Sequence, residues 1–587
     1  MTSMSRRELI AAITAAGAAA ALGIPERAAA GTPTGPAVGG APSARAAKAA
    51  AKRAAQTAPR GSDLGAVEHV IYLMMENRSY DHYFGAYRKG RGFDDHPKHS
   101  LGAFAQDYPA GSDLSPRKKL LPFHLSAAVG EDCTSDLTHN WGPQHQCWNH
   151  GKMDSYVRTH TSKEWEGVPD GATTMGYYTR REIPLYWALA DEFTLCDAYH
   201  ASILGPTHPN RLMAQTGTID PAGTRGGPIT DTSPDPTVLW SCTWPTVQEV
   251  LEDAGISWKT YHPSFLGATG KYASLVQYPI WDPVLYDPTV NPVVMLATDA
   301  VLPYFKAFQN PLSMLHQKAF DPTFPADFMA DVAKDELPSV SWLIPPLGFD
   351  DHPSANPERG QWFVKQIIDV LASNPKVWSK TVLFLMYDEN DGWFDHVSPP
   401  TAPKGTPGEW LTAPKISSAT LGIRGPLGLG VRVPCLTVSP FSRGGHIATE
   451  VFDHTSQLQF LETRFGIEVP NISAWRRKTV GNLTSTLFTN PHDAKLPKLP
   501  DIALSGFQLT GSCSEIGEET ELAGSGPTLP TKQRMPTQRG VTISAGHFFK
   551  ESETKTDRVP LRSGRKTATT KSAYNHLSHG GEPAERR

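Results

Sequence analysis

The chain has little cysteine, little net charge and no long apolar run, and each shortage removes a class of protein. Its 587 residues include six cysteines (Cys133, Cys147, Cys196, Cys242, Cys435 and Cys513), and none forms a C-x-x-C pair, so neither a zinc knuckle nor a thiol relay is indicated. Spread this widely they are expected as buried small hydrophobes; Cys133 and Cys147 are the pair nearest in sequence, and spacing does not give connectivity. The 55 basic and 59 acidic residues leave a formal charge of −4, which argues against a general nucleic-acid binder. The alanine-rich run ending near Ile24 is too short and too weakly hydrophobic for a durable span, which needs roughly 20 apolar residues. What abounds is glycine and proline, 50 and 51 residues beside 39% hydrophobics. That balance predicts long ordered loops on a globular scaffold, where sites are commonly built.

The ends differ from the middle. Ser5-Arg6-Arg7-Glu8-Leu9-Ile10, the alanine-rich run and Ala28-Ala29-Ala30 together read as a twin-arginine signal over residues 1–30. Export by the Tat machinery is therefore expected, with the product secreted or associated with the cell wall or periplasm. Residues 31–62 read as a flexible leader, and 511–587 as a polar, basic, poorly ordered tail. The tail suits a peripheral contact with membrane or cell wall, or simple solvation. Between them, over 63–510, apolar strands alternate with helices, the signature of an α/β fold with a mostly parallel central sheet. Strands are expected at 67–75, 256–261, 339–344, 381–387 and 431–438. Helices are expected after the Thr246-Val247-Gln248-Glu249 capping box and over Gln361–Ser373, whose apolar residues recur at helical spacing.

The polar residues fall where such sheets bind ligands, at the carboxyl ends of strands. One strand runs into Glu76-Asn77-Arg78-Ser79-Tyr80-Asp81-His82, another into Asp388-Glu389-Asn390-Asp391-Gly392-Trp393-Phe394-Asp395-His396. Two oxygen-rich clusters at neighbouring strand ends suit a hard divalent cation, whereas either alone could cap local turns. A third segment, Gly205-Pro206-Thr207-His208-Pro209-Asn210-Arg211, leads into a helix that Gly217 ends. Thr207 would then sit at a helix N-terminus, where backbone N–H groups favour phosphate, or serve merely as an N-cap.

These three strings, in this order, closely resemble the bacterial phosphoesterase family of non-specific phospholipases C and a respiratory-burst-inhibiting acid phosphatase, over about residues 66–470. The resemblance implies an alkaline-phosphatase-like α/β fold with helices on both faces of the sheet. It implies a nucleophile at Thr207 and one divalent metal held by Glu76, Asn77, Thr207, Asp388 and Glu389. It also implies His139 and His352 at the phosphate, with Asn77, His208 and His454 as further substrate contacts. Calcium, manganese, magnesium and zinc all remain open.

Thr at position 207 and the Asp388-Glu389 pair resemble the phospholipase C branch, which implies cleavage of phosphatidylcholine-type diesters to diacylglycerol and a phosphorylated head group. Trp141, Trp148, Tyr177, Tyr178, Trp258 and Trp393 are candidates for an aromatic cage around a quaternary ammonium. The rivals are an exported acid phosphatase acting on monoesters and a phospholipid-binding protein without turnover.

Overall fold

The structure, a computed structural model, describes residues 63–538 except 97–99, 109–118, 130, 133, 135, 161–170, 233–237, 264–299, 347, 354, 489–493, 503, 505–528 and 531–532. The expected signal and leader, most of the tail, Cys133 and Cys513 lie outside the described residues.

Eight strands make the central sheet: β1 His69–Met75, β2 Thr194–Cys196, β3 Trp258–Pro263, β4 Thr323–Phe324, β5 Val340–Leu343, β6 Thr381–Tyr387, β7 Cys435–Val438 and β8 Ile447–Ala448. Their order is β8-β2-β7-β6-β1-β5-β3-β4. All pairings are parallel except the two that β7 makes, with β6 and β2. The sheet is thus mostly parallel, as expected. The unbroken apolar runs of β1 and β6 fit its centre, because every residue in both is buried.

Alternate β1 side chains show what covers each face. The Tyr72 hydroxyl donates to the Gln457 carbonyl in the helix Thr455–Phe465, whereas Met75, on the opposite face, approaches Gly360 in the helix Pro357–Ser373. Helices therefore cover both faces. Among the described residues no helix is long and apolar enough to cross a membrane.

Local chemistry accounts for several element ends. The Thr246–Glu249 capping box forms with both hydrogen bonds, opening the helix Val247–Asp253. The helix expected from Gln361 begins earlier, at Pro357, because Asn356 caps it and proline suits the first turn. The strand expected over 431–438 is regular only from Cys435. Pro434 has no N–H to donate, and Val431 and Val433 pair instead with the irregular segment at Tyr199 and Ala201. Cys147, Cys196, Cys242 and Cys435 are all buried free thiols, as a hydrophobe role predicts.

Candidate active site at the strand ends

β1 and β6 pair in register from His69 with Thr381 to Met75 with Tyr387, so Glu76 and Asp388 leave the sheet side by side. The junction is laced by backbone. Asp388 N–H donates to the Met75 carbonyl at 3.1 Å and Arg78 N–H to the Glu389 carbonyl at 3.1 Å. Asn77 adopts φ 61°, a left-handed conformation that asparagine tolerates better than most residues, and its N–H donates to Asp388 Oδ1 at 3.1 Å.

The third segment enters through the helix Thr207–Thr216. Pro206 occupies the capping position, Thr207 the first helical position, and Gly217 closes the helix at φ 78° with its N–H on the Met213 carbonyl. Thr207 is therefore not the N-cap. The preceding loop is held by Asn210, whose amide donates to the Gly205 and Pro206 carbonyls and accepts from Ile203 N–H. One turn after Thr207, on the same helix face, Arg211 reaches Glu76 Oε1 at 3.2 Å and approaches Asp388 Oδ2 at 3.5 Å. This arginine ties the helix carrying Thr207 to both strand ends.

The histidines differ in how they are held. His139 Nδ1 lies 2.9 Å from Asp391 Oδ1, and its Nε2 faces Glu389 Oε1 at 3.8 Å. The His352 ring is 6.3 Å from that of His139, and Asp136 joins the two, with one ligand-type atom of each residue within 4.8 Å of the others. His454 Nε2 lies 2.6 Å from the Asp388 carbonyl and its Nδ1 3.2 Å from the Tyr199 hydroxyl, so both of its nitrogens are engaged by the protein. His208 Nδ1 meets the Tyr304 hydroxyl at 2.7 Å.

The electrostatics are those of crowded, dry carboxylates. Burial and the neighbouring carboxylates push the pKa values of Asp388 and Glu389 upward, with Arg211 opposing for Asp388 and His139 for Glu389. Burial alone would discharge His139, but Glu389, Asp136 and Asp391 together raise its pKa well above the ordinary value. Burial lowers His454 to about 4, which keeps it neutral.

A divalent cation can be tested against the donor atoms. Asn77 Oδ1, Thr207 Oγ1, Asp388 Oδ2 and Glu389 Oε1 are all buried without a hydrogen-bond partner among the described residues. Buried polar atoms rarely go unpaired, and these four belong to four of the five residues expected to hold the metal. A hard-oxygen ion fits such a set.

Asp395 and His396, part of the same acceptor-rich string, belong elsewhere. With Asp81 they form a second cluster of metal-ligand type, but the buried Arg432 fills it, donating to both carboxylates at 2.9 to 3.0 Å. The six aromatics do not form one cage. Trp393 and Tyr178 lie around the Arg78 guanidinium, at 5.7 and 6.0 Å, while Trp258 packs in the sheet against Trp342. Sequence reasoning gives no role to Arg211 or Gln144, and none to Asp391 beyond its place in the acceptor-rich string. Only Arg211 carries a usable signal, its four-residue spacing from Thr207.

A family model described as the Phosphoesterase family matches residues 67–468. The chain belongs to that family. The resemblance carried by the three motifs is borne out, and this phosphoesterase is a phosphoric ester hydrolase acting on a phosphate ester. It is 40% identical over 492 residues to phospholipase C B of Mycobacterium tuberculosis (strain ATCC 25618 / H37Rv), covering 82% of this chain and 89% of that one. It is 39% identical over 455 residues to the non-hemolytic phospholipase C of Burkholderia pseudomallei, covering 74% and 61%. Among solved structures, it is similar to an alkaline phosphatase superfamily protein from Vibrio parahaemolyticus, at TM-score 0.28 and 9% identity, covering 62% of this chain and 75% of that one.

Proposed function

We propose that the chain is an exported, metal-dependent phospholipase C that cleaves phosphatidylcholine-type diesters through a phosphothreonine intermediate. The observation that carries this reading is the buried, unpartnered Thr207 hydroxyl at a helix N-terminus whose next turn is bound to Glu76 and Asp388. The likeness to two proteins named phospholipase C supports the choice of a diester.

Glu76, Asn77, Thr207, Asp388 and Glu389 would hold one divalent ion. Such an ion, when bound, supplies Lewis-acid polarisation of phosphoryl oxygens and lowers the pKa of a coordinated hydroxyl. Thr207 Oγ1, its proton released to solvent, attacks phosphorus in line, so that the Oγ1–P bond forms as the P–O bond to diacylglycerol breaks. The helix N-terminus offers backbone N–H groups to the phosphoryl oxygens. His139 and His352 stabilise charge on those oxygens, and an imidazolium proton goes to the departing alkoxide. Water then attacks the phosphothreonine, releasing the phosphorylated head group and restoring the hydroxyl. His454 braces the Asp388 backbone and stays neutral.

The test compares p-nitrophenylphosphorylcholine with p-nitrophenyl phosphate, and follows diacylglycerol release from phosphatidylcholine vesicles. Turnover of the diester and release of diacylglycerol support the reading. Preference for the monoester would make the protein an acid phosphatase, and lipid binding without release would make it a binding protein. Recovery of mature protein lacking the first 30 residues from outside the cytoplasm would support export.

A further inference from the structure

We propose that Asp391 is the positioning residue that sets the His139 ring, holding it and its own segment so that Nε2 faces Glu389 at the edge of the Glu76, Asp388 and Thr207 cluster. The inference rests on the reading above that His139 lies at the phosphate, and it assigns a task to a carboxylate outside the expected ligand set.

The ring geometry leaves one arrangement. His139 Nδ1 lies 2.6 Å from the Leu137 carbonyl and 2.9 Å from Asp391 Oδ1. A carbonyl and a carboxylate can only accept, so Nδ1 carries hydrogen. Nε2 is then the nitrogen presented to the site, on the side of Glu389 Oε1. A histidine held only by its own segment could swing with it, but here one carboxylate grips both ring and segment. Leu137 N–H donates to Asp391 Oδ1 and Oδ2 at 3.1 and 3.3 Å.

Asp391 is itself immobilised. It is fully buried, its N–H donates to Glu389 Oε2 at 2.6 Å, and its carbonyl accepts from Gln144 Nε2 at 2.6 Å. The turn is packed so closely against the segment bearing His139 that a Cβ on Gly392 would come 2.0 Å from His160 Nε2 and 2.8 Å from Leu137 Cβ. A rigid turn off β6 thus registers the His139 segment, 254 residues away from Asp391 to Leu137, against the strand ends. Orientation of this kind is what an otherwise free imidazole needs before it can act on a phosphoryl group.

Asp391 has φ 56°, so the variants are chosen for that backbone: asparagine tolerates it, and glycine removes the carboxylate without strain. The experiment measures kcat and KM on p-nitrophenylphosphorylcholine, with bound metal by element analysis, for wild type, D391N, D391G, H139A and H139A/D391N. D391N and D391G are expected to lower kcat roughly ten- to a hundredfold with KM and metal content held, as for other residues that orient a site group. D391N is expected to cost nothing further once His139 is alanine. A full repeat of the loss in the H139A background, a matching loss of metal, or a wild-type kcat in D391G would each overturn the proposal. Nitrogen-15 spectra of labelled histidine provide a readout that needs no turnover, so it survives failure of the phospholipase assignment. Wild-type His139 should carry hydrogen on Nδ1, and D391G should shift or broaden that Nδ1 signal as the ring loses its second anchor; an Nδ1 signal identical in wild type and D391G, or a wild-type ring bearing its hydrogen on Nε2 alone, overturns the proposal.

Discussion

Two buried charge clusters grow from the same pair of strand ends and are finished in opposite ways. Farther from the sheet, Asp81, Asp395 and His396 surround Arg432, and both carboxylates and all three guanidinium nitrogens have partners. Nearer the sheet, one arginine, Arg211, reaches Glu76 and Asp388, and four oxygens of Asn77, Thr207, Asp388 and Glu389 are left without a hydrogen bond among the described residues. A satisfied ionic network specifies structure, whereas buried donor oxygens kept unpaired cost stability and are retained where something must bind. The difference divides a single string of sequence, 388–396, into a half that is filled and a half with open oxygens.

Substitutions that treat the clusters differently should break this contrast if it is wrong. The largest effect is expected at Thr207: T207A should lower kcat on the order of 10⁴-fold or more, as for loss of other hydroxyl nucleophiles. Its melting temperature should hold or rise, because an unpaired buried hydroxyl has gone. Next comes R432M, which strands Asp81 and Asp395 and should destabilise the fold by about 3–5 kcal/mol in denaturant titration. D388N is its counterpart in the other cluster. The amide oxygen that replaces the carboxylate can still accept from the Asn77 and Glu389 N–H groups, and Arg211 loses its longer approach to Asp388 but keeps Glu76, so stability should change by about 1 kcal/mol while activity and metal content fall. Equal destabilisation by R432M and D388N would erase the distinction.

Chelation sharpens the same point. Dialysis against a chelator should abolish activity but leave the far-ultraviolet circular dichroism intact, and one divalent ion per chain should restore turnover. The melting temperature should rise with added ion, by the linkage expected of a ligand that binds only the folded state.

The smallest effect concerns pH and the filled cluster. Burial works against a charged His396, but Asp81 and Asp95 raise its pKa above the ordinary value, with Arg432 opposing. A raised folded pKa adds stability that is fully present below the unfolded value and fades as pH climbs through the folded one. H396Q should therefore lose most, on the order of 1 kcal/mol, near about pH 5.5, and approach wild type in alkaline buffer. A gap that widens with pH would show that the imidazole is held neutral.

Much of this is legible in the chain itself. Unbroken apolar runs locate β1 and β6 because a central parallel strand is buried on both faces, and the caps at Thr246 and Gly217 are encoded within one or two turns. The three polar strings locate the acidic cluster because strand ends are where such sheets bind. The string at 388–396 cannot be divided by inspection. Which of its carboxylates are neutralised depends on Arg432 and Arg211, and Arg432 is 351 residues from Asp81. The aromatic cage fails for a similar reason: Arg78 occupies the space between Trp393 and Tyr178.

The sequence by itself determined five of the eight sheet strands, the helix that Gly217 ends and the family to which the chain belongs, since each rests on short-range periodicity, caps or contiguous motifs. Only the tertiary structure decided that Thr207 is not a cap, that β7 runs against its neighbours, that Asp391 grips His139, and that one cluster is filled while the other keeps oxygens without hydrogen bonds. Those outcomes depend on desolvation and on partners hundreds of residues apart, and neither is a property of a local stretch of chain.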